Sequence, residues 1–116
     1  MFKRDARAVI VRAFLFLALL GLALAAGDKS TIKGVITDSM CATGDHSGMR
    51  MGDNDAECTK ACVEAHGATY VLFDGKSAWN LSDQTLPEKF AGKKVAVTGT
   101  VDEKQKIIRV EKIAAN

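Results

Sequence analysis

The groups in this chain best able to do chemistry lie in one segment. It carries Cys41, His46, Cys58 and Cys62, which are all three cysteines and one of the two histidines. Thiolate sulfur and imidazole nitrogen are the ligand types of tetrahedral Zn²⁺, and they also suit a thiophilic ion such as Cu(I). The spacings are Cys-x₄-His and Cys-x₃-Cys, unlike either the Cys-x₂-Cys zinc knuckle or the thioredoxin-type pair. Met40, Met49 and Met51 stand in the same stretch; thioethers are acceptable ligands for Cu(I) and poor ones for Zn²⁺.

The same sulfurs are candidates for a disulfide. Cys58 and Cys62 sit one turn apart on a helix, a geometry that suits bridging poorly. The pairing is therefore Cys41 with Cys62 or Cys58, closing a loop of about 20 residues and worth roughly 3 kcal/mol. The odd count leaves one thiol over. Two readings stand side by side: a Cys₃His site for zinc or copper through Cys41, His46, Cys58 and Cys62, or a disulfide staple. The plainest alternative is packing, since Cys58, Ala61, Cys62 and Ala65 follow the i, i+3, i+4, i+7 spacing of a core-facing stripe.

Other polar groups read more simply. His66 falls in the last turn of that helix, where it interacts with the terminal carbonyls. Asp38, Asp45, Asp53 and Asp55 lack the spacing of a Ca²⁺ loop and read as turn and cap residues. No nucleophile triad, paired carboxylates or phosphate-cradling glycine loop is recognisable, so an enzyme is not expected.

The elements that must position the cluster are legible from periodicity. Strand-like runs occupy residues 31–37, 68–73, 76–81, 93–101 and 106–113, rich in valine, isoleucine and threonine. Asp74-Gly75 marks a two-residue hairpin turn between the second and third runs. A helix over 55–66 is capped by Asn54 with Glu57 at its third position, and Gly67 ends it. A second short helix around 83–90 is limited by Pro87. Strand, helical insert, hairpin, short helix and two strands is the order of a small five-stranded OB-like barrel, mainly β with short helices. The cysteine-bearing insert, residues 39–67, then occupies the loop between strands 1 and 2, a usual binding edge of that fold. Gly34 and Gly99 suit the bends of a barrel. Tyr70, Phe73 and Trp79 read as closing its small core.

The first residues read as a signal peptide. Lys3, Arg4, Arg7 and Arg12 precede an apolar run over 13–25, too short to span a bilayer, and Ala23-Leu-Ala25 offers a cleavage pattern. Residues 1–25 hold four basic side chains against one acid, so the net +2 of the chain becomes −1 over residues 26–116. That balance excludes an electrostatic case for nucleic acid. The expectation is one exported domain of 91 residues, periplasmic or secreted, touching a membrane only during export.

Gly34-Val-Ile-Thr-Asp38-Ser-Met-Cys41 with His46, Glu57-Cys58-Thr-Lys-Ala-Cys62, Ala68-Thr-Tyr-Val-Leu72 and Ala91-Gly-Lys-Lys-Val-Ala-Val-Thr-Gly99 together resemble a group of small exported bacterial proteins. That group is built on G-x-I-x-D-x-x-C-x₄-H … C-x₃-C … G-A-x-Y-V-L … A-G-K-x-V-x-V-T-G. The resemblance spans nearly all of residues 26–116, and Ala42 stands where the pattern has glycine. It implies export and an OB-like fold, and carries no established ligand or activity. The expected function is a non-enzymatic binding or structural module, its Cys/His cluster held by a disulfide or metal ion, with an unidentified ligand or envelope protein as partner. The alternative is a periplasmic copper- or zinc-handling or thiol-redox protein.

Overall fold

The computed structural model describes residues 28–116; the expected signal peptide lies outside them. Strand β1 spans Asp28–Asp38, helix α1 Asp55–His66, β2 Tyr70–Phe73 and β3 Ala78–Leu81. A 3₁₀ turn at Leu86–Phe90 leads into β4, Lys94–Asp102, and β5, Ile107–Ala115. The strands close into a barrel in the order β1-β2-β3-β5-β4, the OB-like architecture expected from element order. Among the described residues no helix is long and apolar enough to cross a membrane.

Closure depends on β1 serving two neighbours. Its first part pairs antiparallel with β4 from Asp28↔Val101 to Val35↔Lys94, and its end pairs with β2 from Val35↔Phe73 to Asp38↔Tyr70. The strand changes partner at Gly34, where a Cβ would run into the Phe73 carbonyl, so only glycine admits the close approach. Gly99 does the same against Arg109 at the irregularity in the β4–β5 register. β3 and β5 complete the ring in parallel through Asn80↔Ile107 and Leu81↔Ile108.

Period-two alternation fills the interior. Val95 and Val97 of β4 point inward, joining Ile36, Leu72 and Ile108, all fully buried, with Tyr70, Trp79 and Leu81. Tyr70 and Trp79 therefore close the core, as expected, while Phe73 at the hairpin is only half-buried.

Two local expectations need correction. The hairpin loop is four residues, 74–77, because Phe73 pairs with Ala78. Asp74 sets that turn: its Oδ1 accepts the N–H groups of Lys76 and Ser77 at 2.8 and 2.7 Å, and its Oδ2 accepts Trp79 Nε1–H at 2.9 Å. A side chain that binds three donors holds a wider loop than the bare Asp-Gly pair implies. The second helix is a single 3₁₀ stretch with Pro87 at its start, preceded by Asp83, whose Oδ1 accepts from the N–H groups of Thr85 and Leu86.

Helix α1 lies over one end of the barrel. Asn54 accepts the Glu57 N–H, and Gly67 closes the helix at φ 68° with its N–H on the Cys62 carbonyl, both caps as expected. The helix start packs on Gly92 (φ 74°), where a Cβ would lie 2.7 Å from the Ala56 nitrogen. That contact, together with the Gly92 N–H bond to the Ile36 carbonyl, ties α1 to the end of β1.

Candidate metal centre

The site begins where β1 enters the barrel's end. Burial deepens along the strand until Ile36, Thr37 and Asp38 are fully enclosed. The chain then turns sharply. Asp38 Oδ1 accepts the N–H groups of Met40 and Cys41, each at 3.0 Å, an Asx-type turn that fixes the carboxylate and brings Cys41 back over it. Thr37 donates its hydroxyl to the Cys41 carbonyl at 2.7 Å, and Gly44 donates its N–H to the same oxygen at 2.8 Å. The loop thereby returns His46 to the interior, where it is 3 % exposed despite its polar ring.

Asp38, Cys41 and His46 converge. Their ligand atoms lie within 4.8 Å of one another, and all three residues are buried. Asp38 Oδ2 and His46 Nδ1 face each other at 3.9 Å, and neither has a hydrogen-bond partner. That separation is too long for a hydrogen bond. One ion can span it, since zinc bonds to nitrogen and oxygen of about 2.0–2.2 Å each reach across. On the far side of the ring, His46 Nε2 meets the buried Thr59 hydroxyl at 3.5 Å. A partner there leaves Nδ1 aimed at the carboxylate, the way ligating histidines are oriented by the other ring nitrogen.

Helix α1 supplies the remaining sulfurs. Its buried residues are Cys58, Thr59 and Cys62, whereas Ala65 is exposed. The expected stripe is therefore rotated, because Thr59 rather than Ala65 packs on the His46 loop. Cys62 is fully buried on this face of the helix, and the charges of Asp38 and Cys41 bear on its thiol. Desolvation raises the pKa of Cys41 most, followed by the charges of Asp38, Cys58 and Asp45, while the Cys62 S–H lowers it. Burial raises Cys62 as well, with Asp38 and then Cys41 adding to it. A dry pocket shared with a carboxylate disfavours free thiolates, and a cation there would reverse that preference.

All three cysteines are free thiols. Of the residues expected to ligate, Cys41 and His46 are in the 4.8 Å group, and Cys62 is buried but not part of it. Cys58 is engaged elsewhere: it accepts the Gly52 N–H at 3.2 Å and turns its S–H to the Gly52 carbonyl at 3.3 Å. Asp38, read from sequence as a turn residue, does form the turn with one oxygen and offers the other to the site. The signal for that role was its place three residues before Cys41 at the end of a strand. His66, Asp45, Asp53 and Asp55 are exposed and outside the cluster. Ser47 N–H bonding to Asp45 holds that carboxyl below its ordinary value, as befits a turn residue.

Compared with known proteins, the chain matches no family model, no curated protein and no solved structure.

Proposed function

We propose that this protein is an exported, non-enzymatic OB-like module that holds a transition-metal ion, zinc by preference, between Asp38, Cys41, His46 and Cys62. The observation that carries the reading is the pair of buried atoms, Asp38 Oδ2 and His46 Nδ1, that face each other without partners beside a cysteine. Leaving buried polar groups unsatisfied costs about 1–3 kcal/mol each, and a bound cation removes both penalties at once. Oxygen, nitrogen and sulfur donors together are a zinc set. Asp38, Cys41 and His46 form the converging group, and buried Cys62 as the fourth ligand would close the site in the manner of structural zinc. For a domain of this size a metal ion is a common staple. Export to the periplasm or beyond, and kinship with the small exported bacterial proteins the sequence resembles, belong to the same reading; the basic and apolar residues 1–25 support it.

A second reading, copper handling, is favoured by one observation. Met40, Met49 and Met51 are 47 %, 38 % and 39 % exposed, on the same loop as Cys41 and His46. Exposed thioethers suit Cu(I), while the Asp38 carboxylate does not. Elemental analysis of the full chain, purified reduced and offered both metals, decides between them. Stoichiometric zinc with every thiol still titratable supports the first reading, and preferential copper supports the second. A metal-free protein whose melting temperature ignores added zinc and copper rejects both.

A further inference from the structure

Strand β1 has β2 beside it only over residues 35–38. Residues 28–34 pair with β4, and no described strand borders their other edge. The direction of their backbone groups follows from the end of the strand. Ile36 gives its N–H to the Lys93 carbonyl and accepts from the Gly92 N–H, both on the β4 side. Alternation then turns the N–H and C=O groups of Lys29, Thr31 and Lys33 to the open edge. No hydrogen bond from the described residues reaches them there. Where this edge meets the hairpin lies a surface cavity of about 360 Å³, lined by Lys33, Val35, Phe73, Asp74 and Lys94 among others. Its walls are mostly apolar, and among the described residues neither lysine is in an ion pair. The Asp74 carboxylate is already bound by three N–H donors.

We propose that the open edge of β1 takes an added strand from a partner protein, an extended segment carrying acidic side chains. Backbone groups at a sheet edge are a template for such pairing, and the side chains beside them select the sequence. Lys29, Thr31 and Lys33 line the outer face of the edge, all exposed. Lys29 is held by Glu111 at 2.7 Å, so Lys33 and Lys94 are the charges left for a ligand. An acidic residue opposite Lys33 pairs with it. An apolar neighbour on the same face covers Val35 and Phe73, both half-buried. A second copy of the chain fits poorly. Antiparallel self-pairing centred on Thr31 sets Lys29 against Lys33, like charges directly opposed. Residues 1–25, with four basic side chains against one acid, have the wrong sign for the same reason. The edge shares no residue with the metal site, so the two readings stand or fall independently.

The probe is an acetylated, amidated hexapeptide of alternating glutamate and valine, added to the full chain at low salt. Amide hydrogen exchange reads the edge residue by residue. The N–H groups of Lys29, Thr31 and Lys33 should exchange fast in the free chain and become protected with the peptide. The same peptide N-methylated throughout cannot pair, and a lysine-valine version meets like charge; both should leave the three amides fast. Lys33→Glu should keep the melting temperature and bind the glutamate peptide roughly tenfold more weakly. Protection confined to other residues, equal binding of either control peptide, or no protection at millimolar peptide overturns the proposal. Unchanged affinity in Lys33→Glu overturns the acidic assignment. Slow exchange of the three amides in the free chain also overturns it, a dimer mass then assigning the edge to a second copy and a monomer mass to residues 1–27.

Discussion

At the scale of single residues, Asp38 does two jobs with two oxygens. Oδ1 builds the turn that places Cys41, and Oδ2 is left bare against His46. Asp38→Asn separates them, because an amide oxygen still accepts the two N–H bonds while the negative charge is lost. We expect this variant to fold and to bind zinc at least 10–100-fold more weakly, the loss seen when even an outer-shell partner is removed. Cys58→Ala is the matched control. Its Sγ bonds only to Gly52, so zinc affinity should be unchanged while stability falls by about 1 kcal/mol. Competition titration with a chelator of known affinity measures both, and equal affinity in Asp38→Asn would remove Asp38 from the ligand set. The dual role explains why Asp38 was hard to read from sequence. An aspartate before a cysteine turn looks complete as an Asx residue, and only the three-dimensional return of His46 exposes the second oxygen's purpose.

At the scale of elements, α1 was the most legible part of the chain. Asn54 and Gly67 are local signals, and each makes the contact its type implies, whereas Glu57 contributes only its backbone N–H to the cap. The rotation of its buried face toward Thr59 was not legible, since what packs there is the His46 loop from a distant part of the chain. β1 likewise begins at Asp28, before the alternating run at 31–37, because backbone pairing with β4 carries polar residues that no periodicity marks. The hairpin loop lengthened for the opposite reason, a side chain outweighing the Asp-Gly signal. Docking of α1 hinges on Gly92, whose φ of 74° and contact with the Ala56 nitrogen leave no room for a side chain. Gly92→Ala should cost about 1–3 kcal/mol through strain and crowding. It should also weaken zinc binding, because Cys62 travels with the helix. Denaturant unfolding checks the first effect; a midpoint equal to that of the parent chain would show that α1 does not rest on this contact.

At the scale of the whole molecule, a closed barrel presents a rigid rim and the insert between β1 and β2 builds the site on it. The barrel was readable because five strand-like runs, a helical insert after the first and a short helix after the third follow the order of an OB-like fold. Barrel stability has a pH signature at the opposite hairpin. Trp79 Nε1–H, then the Ser77 and Lys76 N–H groups, hold the Asp74 carboxyl down to about 2 from 3.8. A carboxyl depressed in the folded state contributes stability that is complete above its unfolded value and lost as pH falls toward the folded one. The stability difference between the parent chain and Asp74→Asn should therefore be constant above about pH 5 and shrink between about pH 4 and 2. Unfolding followed by Trp79 fluorescence across that range reads it, and a difference independent of pH would contradict the assignment.

A metal ion held between β1, its following loop and α1 would have unlike donors: oxygen, nitrogen and sulfur. X-ray absorption at the zinc edge of the reduced, zinc-loaded chain tests this directly. The prediction is a mixed first shell, sulfur at about 2.3 Å together with nitrogen and oxygen at about 2.0–2.2 Å. A shell of sulfur alone, or one of nitrogen and oxygen alone, would contradict it.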